Sequence, residues 1–112
     1  SEVADLLNRI RQPFNVNALA LASATVALKD DAYIKQTKQL NDQGMAQLVA
    51  GFDRLSLRYI PSKGNFITVD VQRNGDEVFV ALLHQGVIVR PVGNYGLPQH
   101  IRVSIGLEDE NQ

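Results

Sequence analysis

The chain has 112 residues, of which 45% are hydrophobic and 21% charged, and its 11 basic and 12 acidic side chains leave a net charge of -1. This length fits one domain over residues 1–112, because two hydrophobic cores need a longer chain. The balanced charge and the absence of a long apolar run argue against nucleic-acid and membrane partners. The lack of cysteine suits the cytoplasm, where we expect the protein.

Two helices are predicted at the start of the chain. The first covers residues 1–10 and ends before Pro13, because proline disfavours helical geometry in the residue that precedes it. The second runs over residues 16–28 behind an Asn15 cap. Its apolar side chains point in every direction, which is typical of a helix buried on all sides. We therefore expect a surface from outside the chain to cover it.

A third, longer helix is predicted from the Asp30 cap to about Leu55. It has one apolar stripe, with lysine and glutamine elsewhere, as expected for an amphipathic helix at a protein surface. Gly44 interrupts the pattern and costs about 1 kcal/mol relative to alanine at a helical position. The period then changes to two, which predicts strands around residues 57–59 and 67–71 with a turn between them.

The remaining elements complete a mixed fold. Asn74 is a predicted N-cap for a short helix over residues 76–85, and Gly86 is its stop signal. Residues 87–90 and 101–105 are predicted strands. Helices followed by a mostly antiparallel sheet with one inserted helix indicate an α+β fold, a two-layer sandwich of helices on a small sheet.

Two arginines are the strongest candidates for chemistry. The alternation of the last two strands places Arg90 and Arg102 opposite the core face. If these strands form a hairpin centred on Gly96, the two arginines pair directly. Like charges that face each other are destabilising, so such a pair would suit a carboxylate or phosphate ligand, which guanidinium groups bind bidentately. On the pattern alone, two solvated surface arginines are the simpler interpretation.

The two histidines give no sign of a metal site. Neither His84 nor His100 stands at a metal-ligand spacing or beside a candidate nucleophile. His84 falls at the predicted end of a helix, where a partial positive charge is favourable. We therefore predict no metal ligand in this chain.

Four blocks resemble, in order and spacing, the C-terminal region of the histidinol-phosphate aminotransferase family. Their sequences are RQPFNVN (residues 11–17), PSKGNF (61–66), GVIVRP (86–91) and IRVSIG (101–106), the last followed by Glu108, Glu110 and Asn111. The resemblance implies the small domain of a fold-type I enzyme that uses pyridoxal 5'-phosphate and is a homodimer at full length. It also implies amino transfer between glutamate and imidazole acetol phosphate in histidine biosynthesis.

By this resemblance, Arg102 binds the acidic group of the substrate, Arg90 lines the same site, and Asn65 lies near it. The family's cofactor lysine and its pyridine-binding aspartate have no matching motif in this chain. The resemblance therefore implies a fragment that lacks the large cofactor-binding domain. We expect this fragment alone to hold no catalytic residue, to bind no pyridoxal phosphate and to be inactive, because the cofactor carries the chemistry.

Two alternatives stay open at the level of the sequence. The chain could be an independent α+β regulatory module that binds a small anion through Arg90 and Arg102. It could also be the small domain of a sibling enzyme that uses the same cofactor, such as an aromatic aminotransferase or a threonine-phosphate decarboxylase. Substrate choice depends largely on residues outside this region.

Overall fold

The computed structural model describes residues 2–11 and 15–112. They belong to two compact units, Ser1–Lys35 and Gln36–Gln112. The N-terminal unit contains the helices α1 (Glu2–Ile10) and α2 (Ala18–Ala27) and the start of α3 (Asp31–Arg54). Asp30 caps α3 as predicted, since its Oδ1 accepts a hydrogen bond of 2.9 Å from the N–H of Tyr33.

Helix α2 begins two residues later than predicted. Asn17, and not Asn15, is its N-cap, and the Oδ1 of Asn17 accepts a hydrogen bond of 2.8 Å from the N–H of Ala20. No residue of α2 is buried, and Leu19 and Val26 are 81% and 70% exposed. The partner surface expected for this helix therefore stays a prediction. Among residues 2–11 and 15–112, no helix is both long and apolar enough to cross a membrane.

The C-terminal unit is built on a four-stranded antiparallel sheet with the strand order β1-β2-β4-β3. Its strands are β1 (Arg58–Ile60), β2 (Phe66–Asp70), β3 (Arg90–Pro91) and β4 (His100–Ser104), and α4 (Gly75–Leu83) lies between β2 and β3 in sequence. Asn74 caps α4 as predicted, and its Oδ1 accepts hydrogen bonds from two backbone N–H groups of the first turn. The predicted α+β class is confirmed.

The strand predicted over residues 87–90 is much shorter in the structure. Helix α4 ends at Leu83, earlier than predicted. Gly86, in the turn that follows, adopts the left-handed conformation with a φ of 82°, and the N–H of Val87 donates to the carbonyl of Leu82 at 3.0 Å. This bond belongs to the C-terminal cap of the helix. The N–H of Val87 is therefore used by the helix cap and is not available to the sheet, and strand pairing begins only at Arg90.

One face of the sheet carries the hydrophobic core. Ile67 and Val69 of β2 and Ile101 of β4 are at most 3% exposed, and Leu48 of α3 and Val92 are also buried. Their strand partners face the same side, because directly opposed residues in an antiparallel pair share a face. The other face of the sheet is formed by the alternate residues and is mainly polar.

The last residues of the chain form a strap, residues 105–111, against α3. Asn111 Nδ2 donates to Gln47 Oε1 at 3.1 Å, and Gln47 Nε2 donates to the carbonyl of Glu108 at 2.9 Å. Gly44 is buried beside the strap, and a Cβ atom at this position would lie 2.5 Å from Cγ2 of Ile105. The glycine that is unfavourable for helix propensity therefore allows α3 to approach the strap closely.

Candidate functional site

Arg90 and Arg102 are direct partners across β3 and β4. This is the register expected for a hairpin centred on Gly96, and Gly96 itself adopts a left-handed conformation with a φ of 78°. Because opposed residues share a face, both arginine side chains belong to the polar face of the sheet. The sequence pattern alone had left open whether the two positions pair.

Arg102 is held closely by its surroundings. Its side chain is half-buried, and its Cζ lies 4.9 Å from the centroid of the Phe66 ring. The Nε atom is buried and has no hydrogen-bond acceptor in the part of the chain that the structure describes. An incoming acid would therefore bind the terminal nitrogens of the guanidinium group. Arg90, in contrast, is exposed.

Neither of these arginines forms an ion pair with any residue in 2–11 or 15–112. Arg58, on the same face, differs: its Nη2 lies 3.1 Å from Oδ2 of Asp70. Like charges on directly paired strand positions are unfavourable, and an anion bound between them would offset that repulsion. The pair is thus electrostatically complementary to a phosphate or carboxylate.

A compact ionic cluster occupies the other end of the same face. Asp70 is only 7% exposed; its Oδ1 accepts a hydrogen bond of 2.8 Å from the N–H of Gln72. This bond is the main reason why the pKa of Asp70 lies below its ordinary value, and electrostatic interactions with His100 and Arg58 lower it further, whereas burial acts in the opposite direction. Arg58, Asp70 and His100 line a cavity of about 320 Å³ together with Tyr59 and Ile60.

Sequence reasoning missed this cluster. Asp70 pairs with Arg58 across β1 and β2 and with His100 across β2 and β4. Strand alternation could have placed each of the three on the polar face, yet it does not reveal which strands are neighbours. The Nδ1 of His100 is buried and has no hydrogen-bond partner among the described residues.

Asn65 stands immediately before β2. Its backbone carbonyl accepts a hydrogen bond of 2.9 Å from the N–H of Ile105. The preceding turn is held by other residues: the Oγ of Ser62 accepts from the N–H of Gly64 at 3.1 Å, and Asn41 Nδ2 donates to the carbonyl of Gly64 at 3.2 Å. A role of the Asn65 side chain near the substrate stays a prediction.

The two histidines lie on different elements of the C-terminal unit. His84 is the C-cap residue of α4, where it was expected, and His100 lies on β4 beside Asp70. Within residues 2–11 and 15–112, no three histidine, cysteine, aspartate or glutamate side chains are grouped so that they could hold a metal ion.

Comparison with known proteins identifies relatives of this chain. The family model for aminotransferase class I and II matches residues 1–112. The chain is 63% identical to histidinol-phosphate aminotransferase 2 of Pseudomonas fluorescens (strain Pf0-1), over 97% of this chain and 30% of that protein. It is 54% identical to the Pasteurella multocida (strain Pm70) protein of the same name, over 100% of this chain and 31% of that protein. It thus spans about 30% of the length of these relatives.

Solved structures show the same fold. A putative histidinol-phosphate aminotransferase from Erwinia carotovora atroseptica matches with a TM-score of 0.78 and 25% identity, over 99% of this chain and 32% of that one. The Sinorhizobium meliloti histidinol-phosphate aminotransferase, solved in complex with pyridoxal-5'-phosphate, matches with a TM-score of 0.75 and 24% identity, over 98% of this chain and 31% of that one.

Proposed function

This chain belongs to the class I and II aminotransferase family, and we propose that it is the small domain of a histidinol-phosphate aminotransferase, C-terminal in that enzyme, where it binds the acidic group of the substrate. The whole enzyme would transfer an amino group between glutamate and imidazole acetol phosphate in histidine biosynthesis. It would act as a cytoplasmic homodimer. The large domain would come from the roughly 70% of the relatives' length that this chain does not span.

The observation that supports the proposal is the direct pairing of Arg90 and Arg102, neither of which has a carboxylate partner in the described part of the chain. A guanidinium group presents its N–H donors as a fork that matches the oxygens of a carboxylate or phosphate. Arg102 is half-buried, so its charge is screened less by water than that of a fully exposed side chain. In this proposal Arg102 binds the phosphate of histidinol phosphate or the α-carboxylate of glutamate, and Arg90 completes the positive site.

The polar face fits the acid-binding part of an aminotransferase site and not its covalent anchor. Pyridoxal phosphate supplies the electron sink for amino transfer when it is bound. No residue of the four strands is a lysine. Lys63 precedes β2, and Lys38 of α3 forms an ion pair with Asp42. In the proposed enzyme the cofactor is therefore anchored by residues outside this sheet, and the arginines orient the substrate toward it.

The test is Arg102→Lys in a full-length histidinol-phosphate aminotransferase that contains this segment. Lysine keeps the charge but loses the fork, so we expect kcat/KM for histidinol phosphate to fall roughly 10- to 150-fold, the equivalent of one lost charge-assisted hydrogen bond. The melting temperature should stay near that of the parent. Kinetics with glutamate, an aromatic amino acid and threonine phosphate then separate this enzyme from its siblings.

Arg58→Lys is the matched control, because Arg58 lies on the same face and is already engaged by Asp70. This variant should keep its kcat/KM within about twofold, as expected for a change that does not touch the substrate. If Arg102→Lys also leaves the kinetics unchanged, Arg102 is a solvated surface residue and the proposal is wrong. If activity and stability fall together, Arg102 is structural.

A further inference from the structure

Phe66 is an aromatic residue on the polar face of the sheet. It is 36% exposed, whereas its neighbour Ile67 is fully buried on the core face. Phe66 therefore lies outside the core face, and its ring contacts the guanidinium group of Arg102. This contact places the ring beside the arginine pair on the polar face.

The strand order places the ring and the second arginine on opposite sides of Arg102. Phe66 is on β2, Arg90 is on β3, and β4 runs between these strands. Phe66 pairs with Ser104, two residues from Arg102, so the ring reaches Arg102 diagonally. The negative face of the ring attracts the guanidinium group toward β2, and Arg90 repels it from the side of β3.

Stacking of this kind leaves the guanidinium group ready to bind. The Cζ of Arg102 lies over the Phe66 ring, and arginine can stack on an aromatic face while its N–H donors stay available. The Nε of Arg102 is buried and has no hydrogen-bond partner among the described residues, so the terminal nitrogens are the donors that face outward. The terminal nitrogens are then aimed before an acid arrives, which reduces the ordering cost of binding.

We propose that Phe66 is a positioning residue for Arg102: its ring holds the guanidinium group on the β2 side of the arginine pair and keeps the gap between Arg102 and Arg90 open for the substrate's acid. This proposal rests on the acid-binding function proposed for Arg102. It assigns to Phe66 no contact with the substrate.

The stacking itself is tested on this chain by NMR of the arginine side chains, with Phe66→Leu and Phe66→Tyr. The ring current of Phe66 should displace the Arg102 side-chain resonances from those of the other arginines. Phe66→Leu should remove this displacement, and Phe66→Tyr, which keeps the ring, should retain it. Arg102 resonances that stay unchanged in Phe66→Leu would overturn the proposal.

The functional consequence is measured in the full-length enzyme. Loss of the ring removes a cation–π contact worth roughly two- to fivefold in binding, so Phe66→Leu should raise KM for histidinol phosphate by that factor with kcat retained. Phe66→Tyr should restore the parent KM. Tyr59→Leu is the control, because it removes a ring that pairs with Phe52 instead; it should lower stability and leave KM unchanged.

The two proposals fail in different ways. If Arg102→Lys raises KM and Phe66→Leu does not, the positioning role is wrong and the acid-binding role stands. If the resonances of Arg102 move in Phe66→Leu but neither variant changes KM, the stacking is real, and both the acid-binding role and the positioning role that depends on it are wrong.

Discussion

Replacement of Gly44 by alanine tests how closely α3 and the strap pack. A new Cβ would lie 2.5 Å from Cγ2 of Ile105 and 3.0 Å from Nδ2 of Asn111. The first distance is far below van der Waals contact, and Cγ2 is a branched methyl group that cannot swing away on its own. The strap must shift, and the hydrogen bond between Asn111 and Gln47 is strained with it.

The expected magnitude combines opposing effects. Overpacking costs about 1 to 3 kcal/mol, a weakened hydrogen bond about 1 kcal/mol, and alanine regains about 1 kcal/mol of helix propensity. We expect the free energy of unfolding to fall by about 1 to 3 kcal/mol in Gly44→Ala. Gly51→Ala in the same helix is the control, since its Cβ would meet only Arg54 Nη2 at 3.9 Å.

The assay is urea denaturation of the chain, with unfolding monitored by circular dichroism and the free energy obtained by linear extrapolation. Gly51→Ala should gain up to about 1 kcal/mol from helix propensity alone. The difference between the two variants then reports the contact with the strap, free of the propensity term. If Gly44→Ala is as stable as Gly51→Ala, the close approach of α3 and the strap is refuted.

Three further predictions concern charge, cofactor and surface. The folded-state pKa of Asp70 lies below its ordinary value of 3.8, so the stability it contributes is present above that pH and is lost as the pH falls through the folded pKa. The urea midpoint should therefore decrease more between pH 5 and pH 2 in the parent than in Asp70→Asn; parallel pH profiles would contradict this. The isolated chain should bind no pyridoxal phosphate at one site and show no aminotransferase activity; borohydride reduction followed by peptide mapping should give diffuse lysine labelling, and stoichiometric labelling of a single lysine would count against the prediction. Helix α2, with Leu19 81% exposed, should make the chain bind a hydrophobic dye or self-associate, less so in Leu19→Glu; a monomer in sedimentation that leaves the dye dark would show that the helix is covered.

Local signals in the sequence predicted most of the elements. The change from helical to strand periodicity, together with the Asp30 and Asn74 caps, located α3, α4 and the strands within a few residues. The errors occurred where local signals compete. Asn15 and Asn17 are the same residue type and are equally good caps, and the structure uses Asn17. Residues 87–89 have side chains typical of a strand, yet the end of α4 uses the N–H of Val87.

The candidate site, too, was predictable only where its contacts are local in the sequence. The sequence offered the pairing of Arg90 with Arg102 only under an assumed hairpin centred on Gly96, and the observed register agrees with that assumption. The contact of Phe66 with Arg102 was not accessible from the sequence, because it depends on the pairing of β2 with β4, which are separated by α4 and β3 in the chain. Gly44 shows the same limit, since its benefit lies in a contact with a segment more than 60 residues away.

The two arginines of the pair differ in mechanical support. Arg102 is on β4, which is hydrogen-bonded to a strand on each side, whereas Arg90 is on β3, an edge strand of two residues. The side chain of Arg102 is already restrained before an anion binds. The side chain of Arg90 must still become ordered when an anion bridges the two. Ordering a long, mobile side chain costs about 1 to 2 kcal/mol, and this cost falls on Arg90. The unequal strands thus divide the pair into a more rigid and a more adaptable arginine, and in the proposed enzyme this difference would let one site accept a phosphate and a carboxylate of different size.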